Sequence, residues 1–447
     1  MLEMDEFIEQ LTSLIERDTN NKLTISSIQK IIKEINNFLY TKSNNVEKTN
    51  ILGENFEYLS NFHKFWAKNH KKILKAQINE KQCEKVADSL HDVYVLTKGK
   101  VFSEVWSTGD VSNESICKIR FLTANQDFRG SRDFQTLLDI FNSDNSIFDV
   151  NKIKEHPDDF VKSIGIAKLS QNDKRISYAK NAAQFIIRHN CEPIDLAKNF
   201  NNDAYLLRQA LINEQGMGYG NKKTDMFIRD MFVLGIWPNL INFDKIDVAS
   251  DINTVKIALR TGILKTEIPL LSSFLDIFCY QYGYIDSMSA QAWRQVWKIW
   301  KNKYPSETVV SPALLDFFIY NVVGKQFCKD NLYIFKEEEC NHTFKWHSAR
   351  NKTCQECKKI GKINAKAYKV SQILPCTDLN GEIAISQTEF VKSNIANPNY
   401  SACPFKNICM ANGTTKLQPP KSISIKGQTG WTSAYTNEDV GGGGLMA

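Results

Sequence analysis

A chain of 447 residues, 42% hydrophobic and 24% charged, has the composition of globular domains, which excludes both a disordered polymer and a disulfide-stapled miniprotein. Lysines and arginines number 56 against 50 acids, and the net charge of +6 leans toward polyanions without naming a partner. No stretch approaches the ~18 uncharged apolar residues of a membrane span, and the acidic start Met1-Leu-Glu-Met-Asp-Glu6 is unlike a signal peptide, so a cytosolic protein without membrane contact is expected.

Along the chain, Ile8, Leu11, Leu14 and Ile15, then Ile28, Ile31, Ile32, Ile35 and Leu39, keep helical spacing and predict a helical extension over 1–98. The basic and aromatic run from Asn61 to Lys75 reads first as a solvated helix face and second as a nucleic-acid contact. Residues 99–327 read as a second helical domain, broken by short Gly, Pro or Asn/Asp turns, with too few period-two runs for a large sheet. Its longest buried helices are expected at Leu270–Cys279 and Ala290–Trp300, the latter with Trp293, Trp297 and Trp300 as a core stripe.

Inside that domain a helix from Tyr205 to Ile212 stops in the glycine-dense run Asn213-Glu-Gln-Gly-Met-Gly-Tyr-Gly-Asn-Lys-Lys-Thr-Asp225, and a second amphipathic helix starts near Lys222. This is the pattern of a helix-hairpin-helix. Gly216, Gly218 and Gly220 permit positive φ and leave backbone N–H groups uncovered beside a helix N-terminus, which suits a phosphate oxygen. Farther on, Asp251 stands at a helix start, with Ile252, Val255, Ile257 and Leu259 as apolar anchors below it.

After Cys328 the sequence changes to short segments, many lysines and metal-ligand residue types, a cysteine-rich module over 328–415. Cys83, Cys117, Cys191 and Cys279 are scattered and read as small buried side chains, whereas the other seven of the 11 cysteines fall in this module with His342 and His347. Cys340, His342, Cys354 and Cys357 have the ligand set of a structural zinc site, with His347 competing for the place of His342. Residues 416–447 are rich in Pro, Ser, Gly and Thr and read as a flexible tail.

Gly218-Tyr-Gly-Asn-Lys222 resembles the G-x-G-x-K hairpin of the helix-hairpin-helix DNA glycosylase superfamily, and Asp251-Ile-Asn-Thr-Val-Lys-Ile-Ala-Leu-Arg-Thr-Gly262 resembles its D-x-H-V-x-R-V-x-x-R-x-G segment. Phe121-Leu-Thr-Ala-Asn-Gln126 is similar to the family's early helix with gap-filling polar residues, and Ile164-Gly-Ile-Ala with Lys180-Asn-Ala-Ala to its second helix pair. The resemblance covers roughly residues 100–330 plus the C-terminal cysteines, and it implies a mainly α, two-lobed helix-hairpin-helix glycosylase fold with an N-terminal helical extension and a C-terminal metal-binding module. It also implies roles: Asp251 as the catalytic carboxylate, and Lys222 as the Schiff-base nucleophile of members that also cut the strand. Lys223 is the adjacent alternative nucleophile and Asp247 the alternative acid.

Two departures from the family stand out. Asn253 replaces the usual His, and Gly235-Ile-Trp-Pro-Asn-Leu-Ile-Asn-Phe243 lengthens the path from Lys222 to Asp251. DNA contacts are expected from Gly216, Gly218, Gly220 and Lys223, and from Asn125, Gln126 and Arg129 as wedge or strand contacts. Gly324-Lys-Gln-Phe-Cys328 and Cys403-Pro-Phe-Lys-Asn-Ile-Cys409 resemble the two ends of the iron-sulfur loop of the endonuclease III branch. Tyr400 occupies the place of one family cysteine, and Cys376 supplies the missing thiol, so the resemblance implies a [4Fe-4S] cluster on Cys328, Cys376, Cys403 and Cys409 beside the Zn2+ site.

The function this implies is excision of a damaged or modified base from double-stranded DNA by a nucleoid-associated monomer, in repair or against phage DNA with modified bases. The rivals are a non-catalytic, structure-specific DNA-binding protein and an RNA-directed or nucleotide-salvage enzyme on the same scaffold.

Overall fold

The computed structural model describes residues 70–128, 132–167, 171–267 and 283–327 almost without a break, together with parts of 6–13 and 403–408 and strands within 47–58, 333–346 and 370–375. The described part is mainly helical, as expected, and among the described residues no helix is long and apolar enough to cross a membrane.

The elements run β1 (Glu47–Ile51), β2 (Glu54–Tyr58), β3 (Gln77–Ile78), α1 (Glu80–Thr97), α2 (Asn113–Ala124), α3 (Phe134–Ser143), α4 (Val150–Glu155), α5 (Pro157–Ser163), α6 (Asn172–His189), α7 (Ala204–Asn213), α8 (Asn221–Val233), α9 (Ile252–Thr261), β4 (Leu264–Lys265) and α10 (Gly283–Lys303). A mixed run over Pro312–Phe327 passes from a 3-10 turn through one α turn into a π-helix, and β5 (Tyr333–Glu337), β6 (Thr343–Trp346) and β7 (Val370–Pro375) follow. Side-chain oxygens start many of the helices: Ser112 accepts from the Ser115 N–H, Asp133 from Thr136, Asp149 from Asn151 and Lys152, and Asp203 from Tyr205 and Leu206.

Two expectations, one about the N-terminal extension and one about the central helices, have different outcomes. Residues 1–98 are not all helical, because β1 and β2 pair antiparallel with Glu47 opposite Tyr58 and Ile51 opposite Glu54. Only Leu52 and Gly53 separate the strands in sequence, and a two-residue connection containing glycine between Thr- and aromatic-bearing segments is a hairpin signal. The Ala290–Trp300 helix forms within α10, and Trp293, Trp297 and Trp300 are all buried, with the indole N–H of Trp297 donating to Val309 O (2.8 Å) and that of Trp300 to Glu307 O (3.0 Å). Leu270–Cys279 lies outside the described residues.

Two compact units divide the chain, one formed by Leu90–Asp251 with Trp293–Ile319, the other by the described residues within 1–89, 252–292 and 320–447. In the second unit β3 pairs antiparallel with β4, Cys83 is buried, and β5 is the centre of a three-stranded antiparallel sheet ordered β6-β5-β7. The first unit carries an aromatic core. Phe121 of α2 meets Phe227 of α8 edge-on at 5.7 Å and stacks on Tyr219 at 5.5 Å, and Phe227 meets Trp237 at 5.3 Å. These rings fix α8 and the turn before it against α2, which is the frame of the site.

Candidate active site

The turn between α7 and α8 is built from its middle outward. Tyr219, the residue between Gly218 and Gly220, is 3% exposed; its ring fills the core beside Phe121 and its hydroxyl donates to Phe121 O at 2.6 Å. The amide groups of Asn125 and Asn181 donate to Met217 O (3.0 Å) and Gly216 O (2.7 Å), so three side chains hold the turn to α2 and α6. Gly218 has φ +77°, and a methyl group there would overlap the Tyr178 ring, so both backbone and space demand glycine. Gly216 also has positive φ, but Gly220 does not: its φ is −94°, in a region open to any residue, and a Cβ there would meet nothing within 4 Å. Of the three glycines that permit positive φ, Gly216 and Gly218 use it and Gly220 does not. That residue caps α8 without a side-chain hydrogen bond, and because Thr224 N–H is the donor that reaches Gly220 O (3.0 Å), the N–H groups of residues 221–223 have no acceptor within the helix.

Lys222 lies in the first turn of α8, half-exposed, and its Nζ is 3.7 Å from Asp251 Oδ2, whose side chain is only 11% exposed. The long connection does not separate them, because it is anchored to the core at intervals. Trp237 is buried with its indole N–H on Ile194 O (2.8 Å), Ile241 N–H donates to Asn202 O (2.8 Å), and Phe243 stacks on Phe232 at 4.2 Å. Gly235, at φ +69°, turns the chain at the end of α8. The alternative acid, Asp247, is engaged elsewhere, accepting from Arg294 Nε at 2.5 Å. Of the two carboxylates, Asp251 is the one the fold brings to a lysine.

Behind this pair lies a buried charged network. Arg229 of α8 donates to Asp316 through Nη1 and to Asp230 through Nε (3.0 Å) and Nη2. Asp230 also accepts from Arg120 Nε at 3.0 Å and from the Trp106 indole N–H at 3.4 Å. Burial pushes the Asp316 carboxyl up to about 7; Arg229 and Lys222 oppose the rise, and Asp251 and Asp230 add to it. One turn before Arg229 on α8, Arg208 of α7 forks onto Asp225 and also reaches Asn221 Oδ1 (3.0 Å), fixing the first turns of α8 against α7.

Lys223, next to Lys222, points the other way. Its Nζ donates to Asn125 O at 2.7 Å and sits over the Phe128 ring at 4.6 Å. Burial lowers it to about 8, with Asp127 opposing and Lys222, Arg175 and Arg120 adding to the fall. The two lysines therefore differ in kind: Lys223 has the acidified ammonium but its amine is occupied by a backbone carbonyl, and Lys222 has the carboxylate and the solvent access. The folded state sheds the Lys223 proton near pH 8 and the unfolded chain near 10.5, so the unfolded chain binds more protons in that window and stability rises with pH across it. Lys223→Met is expected to remove about 2 kcal/mol of that rise between about pH 7.5 and 9.5, measured by denaturant unfolding at both values. The same rise in both proteins would refute the assignment.

Asn125 and Gln126, expected at the DNA face, are buried instead, 0% and 2% exposed. Asn125 binds Tyr178 O and Met217 O, and Gln126 Nε2 donates to Arg175 O (3.1 Å), while Arg175 returns bonds to Gln126 O (2.9 Å) and Phe128 O (2.6 Å). Asn125 holds the hairpin and Gln126 ties the end of α2 to α6, and both are corrected as strand contacts: a polar pair directly after an apolar helix signals internal backbone satisfaction as well as exposure. Arg129 lies outside the described residues. So do Cys328, Cys340, His342, Cys354, Cys357, Cys376 and Cys409; Cys403, the one proposed metal ligand among the described residues, is half-buried.

The sequence reading missed Arg229, Asp230, Asp316 and Arg120. A signal existed for the first two: an Arg-Asp pair between Ile228 and Met231, on a helix whose neighbours are apolar, is a buried ion pair in waiting. Nothing local marks Asp316. No protein-family model and no curated protein matches the chain.

Proposed function

We propose that this chain is a DNA glycosylase with the two-lobed helix-hairpin-helix architecture, which flips a damaged or modified base out of duplex DNA and breaks its N-glycosidic bond. One observation carries the reading: Lys222 Nζ stands 3.7 Å from Asp251 Oδ2 at the open end of a hairpin whose first three helical N–H groups lack a helical acceptor. A phosphate on those N–H groups holds the strand, and the extruded sugar then meets the carboxylate and the amine. As the C1′–N bond breaks, its electron pair leaves with the base, which takes up a proton, and Asp251 stabilises the positive charge left on the sugar. Lys222, once it has lost a proton, directs its lone pair to C1′; the new C–N nitrogen sheds a further proton, the C1′–O4′ bond opens with O4′ taking one up, and the resulting imine opens the way to β-elimination of the 3′ phosphate. An iron–sulfur cluster and a zinc ion on the C-terminal cysteines belong to the same proposal as structural groups.

Borohydride added to the protein on a duplex containing an abasic site is expected to trap a covalent complex in wild type and none in Lys222→Gln. Trapping that survives in Lys222→Gln and disappears in Lys223→Met would move the nucleophile to Lys223. Tight duplex binding with neither trapping nor base release, across unmodified, oxidised, alkylated, deaminated and hypermodified DNA, would overturn the enzyme and leave a DNA-binding protein, the reading that the hairpin N–H groups favour by themselves.

A further inference from the structure

We infer that the second unit carries a nucleic-acid grip of its own, in which Lys71, Lys72, Lys75 and Lys265 meet the phosphates of duplex DNA without reading its bases. The choice of duplex DNA as the ligand rests on the proposed function; the surface itself shares no residue with the hairpin or with the Lys222–Asp251 pair.

Among the described residues, the end of the basic run is not a free helix face. His70 is buried with its ring edge-on to Tyr284 at 5.7 Å, and Leu74 is buried with its carbonyl accepting from the Glu267 N–H at 3.0 Å. The Lys75 N–H donates to Lys71 O at 3.1 Å, and its own φ of +42° ends the helical turn and leads the chain into β3. Gln77 of β3 then stands opposite Lys265 of β4, and the Asn79 N–H closes on Ile263 O at 2.9 Å. Core and backbone contacts thus fix this segment, and Lys71, Lys72, Lys75 and Lys265 are left exposed on it. In sequence the run also holds Lys64 and Lys68, interleaved with Phe62, Phe65 and Trp66; residues 61–69 lie outside the described residues.

The spacing suits a phosphate backbone. Lys71 and Lys75 are one helical turn apart, about 6 Å along the axis, close to the ~7 Å that two phosphates of one strand span along a duplex. Two chain steps from Lys75 to Gln77 and one strand spacing from Gln77 to Lys265 place the last two lysine Cα atoms within about 13 Å of each other. Among the described residues none of the four lysines makes an ion pair, whereas Lys118, Lys162 and Lys198 are bridged to Glu192, Asp158 and Asp195. Lys71 instead has its ammonium 5.8 Å from the centre of the Tyr284 ring, a contact that uses up no hydrogen bond. Unpaired cations held together repel one another, and a polyanion of regular charge spacing removes that repulsion while shedding its own counterions. Lysine brings a point charge on a flexible stem, which suits phosphates of any sequence.

The test is acetylation of the full chain by an amine-reactive ester, read by mass spectrometry with and without a duplex of random sequence. DNA is expected to protect Lys71, Lys72, Lys75 and Lys265 and to leave Lys162 and Lys198 as reactive as before, a result that needs no variant to fold. Replacing Lys71, Lys72 and Lys75 together by Gln is expected to lower the slope of log Kd against log salt by about 2–3 and to raise Kd about 10- to 100-fold at about 0.1 M salt. Gln at the bridged Lys118, Lys162 and Lys198 removes the same charge and should leave the slope near wild type. No protection, an unchanged slope, or an equal fall in that control overturns the inference. Protection by phosphatidylserine vesicles or by polyglutamate, with none by DNA, overturns it too and gives the surface to a membrane or an acidic protein. Base release without protection sinks the grip alone, and protection without base release from any DNA sinks the glycosylase alone.

Discussion

Asp251→Asn should lower base release by about 100- to 1000-fold while leaving duplex binding close to wild type. The substitution keeps size and shape and removes one charge. Asp251 directly precedes α9, and asparagine starts helices about as well as aspartate, so little stability should be lost with the carboxylate. What disappears is the negative charge 3.7 Å from Lys222, and with it the stabilisation of a cationic sugar. Mass spectrometry of released bases, run beside a gel-shift titration on the same duplex, separates the two effects. Full release by the variant would remove Asp251 from the chemistry and return attention to Asp247, which Arg294 engages. Parallel loss of release and binding would mark Asp251 as structural.

Arg229→Met should cost about 3–5 kcal/mol of folding stability, the most severe single change we expect in the first unit. Asp230 would keep Arg120 and Trp106, but Asp316 would lose its guanidinium while still buried. The penalty should depend on pH, with a sign fixed by the raised affinity of Asp316 for its proton. A carboxyl whose folded-state value is raised binds more protons folded than unfolded, so its contribution grows as pH falls through about 7 toward the usual carboxylate range. The variant should therefore be less impaired near pH 5 than near pH 8, where the orphaned carboxylate must be charged. Urea unfolding at the two values measures this, and Arg229→Met with Asp316→Leu should recover part of the loss by removing the stranded group. A cost below about 1 kcal/mol at both values would mean that the network is solvated and contributes little.

Helices and hairpin were legible in the sequence because their causes are local. Glycines at 216 and 218 announce a turn, the apolar spacing of Phe227, Ile228 and Met231 announces the helix after it, and a tryptophan every third or fourth residue announces the stripe in α10. The pairing of Lys222 with Asp251 was legible only as two motifs in order; that the intervening segment folds back instead of pushing them apart depends on Trp237 and Phe243 finding places in the core, which no local pattern states. Asn125 and Gln126 were misread because polarity marks need for partners and not the side on which they are found: here the partners are the carbonyls of Met217, Tyr178 and Arg175. Asp316 was illegible because its burial and its ion pair both depend on Arg229, a residue far away in sequence.

Gly220 separates two demands that usually coincide. At Gly218 the protein itself forbids a side chain, through φ and through Tyr178; at Gly220 the backbone is ordinary and the space above it is empty. Folding is thus indifferent to whether that position is bare, and mutational tolerance measured by expression alone would pass over it. If a side chain at 220 does harm, the harm comes from a molecule that is not part of this chain, and the residue is an imprint of its ligand.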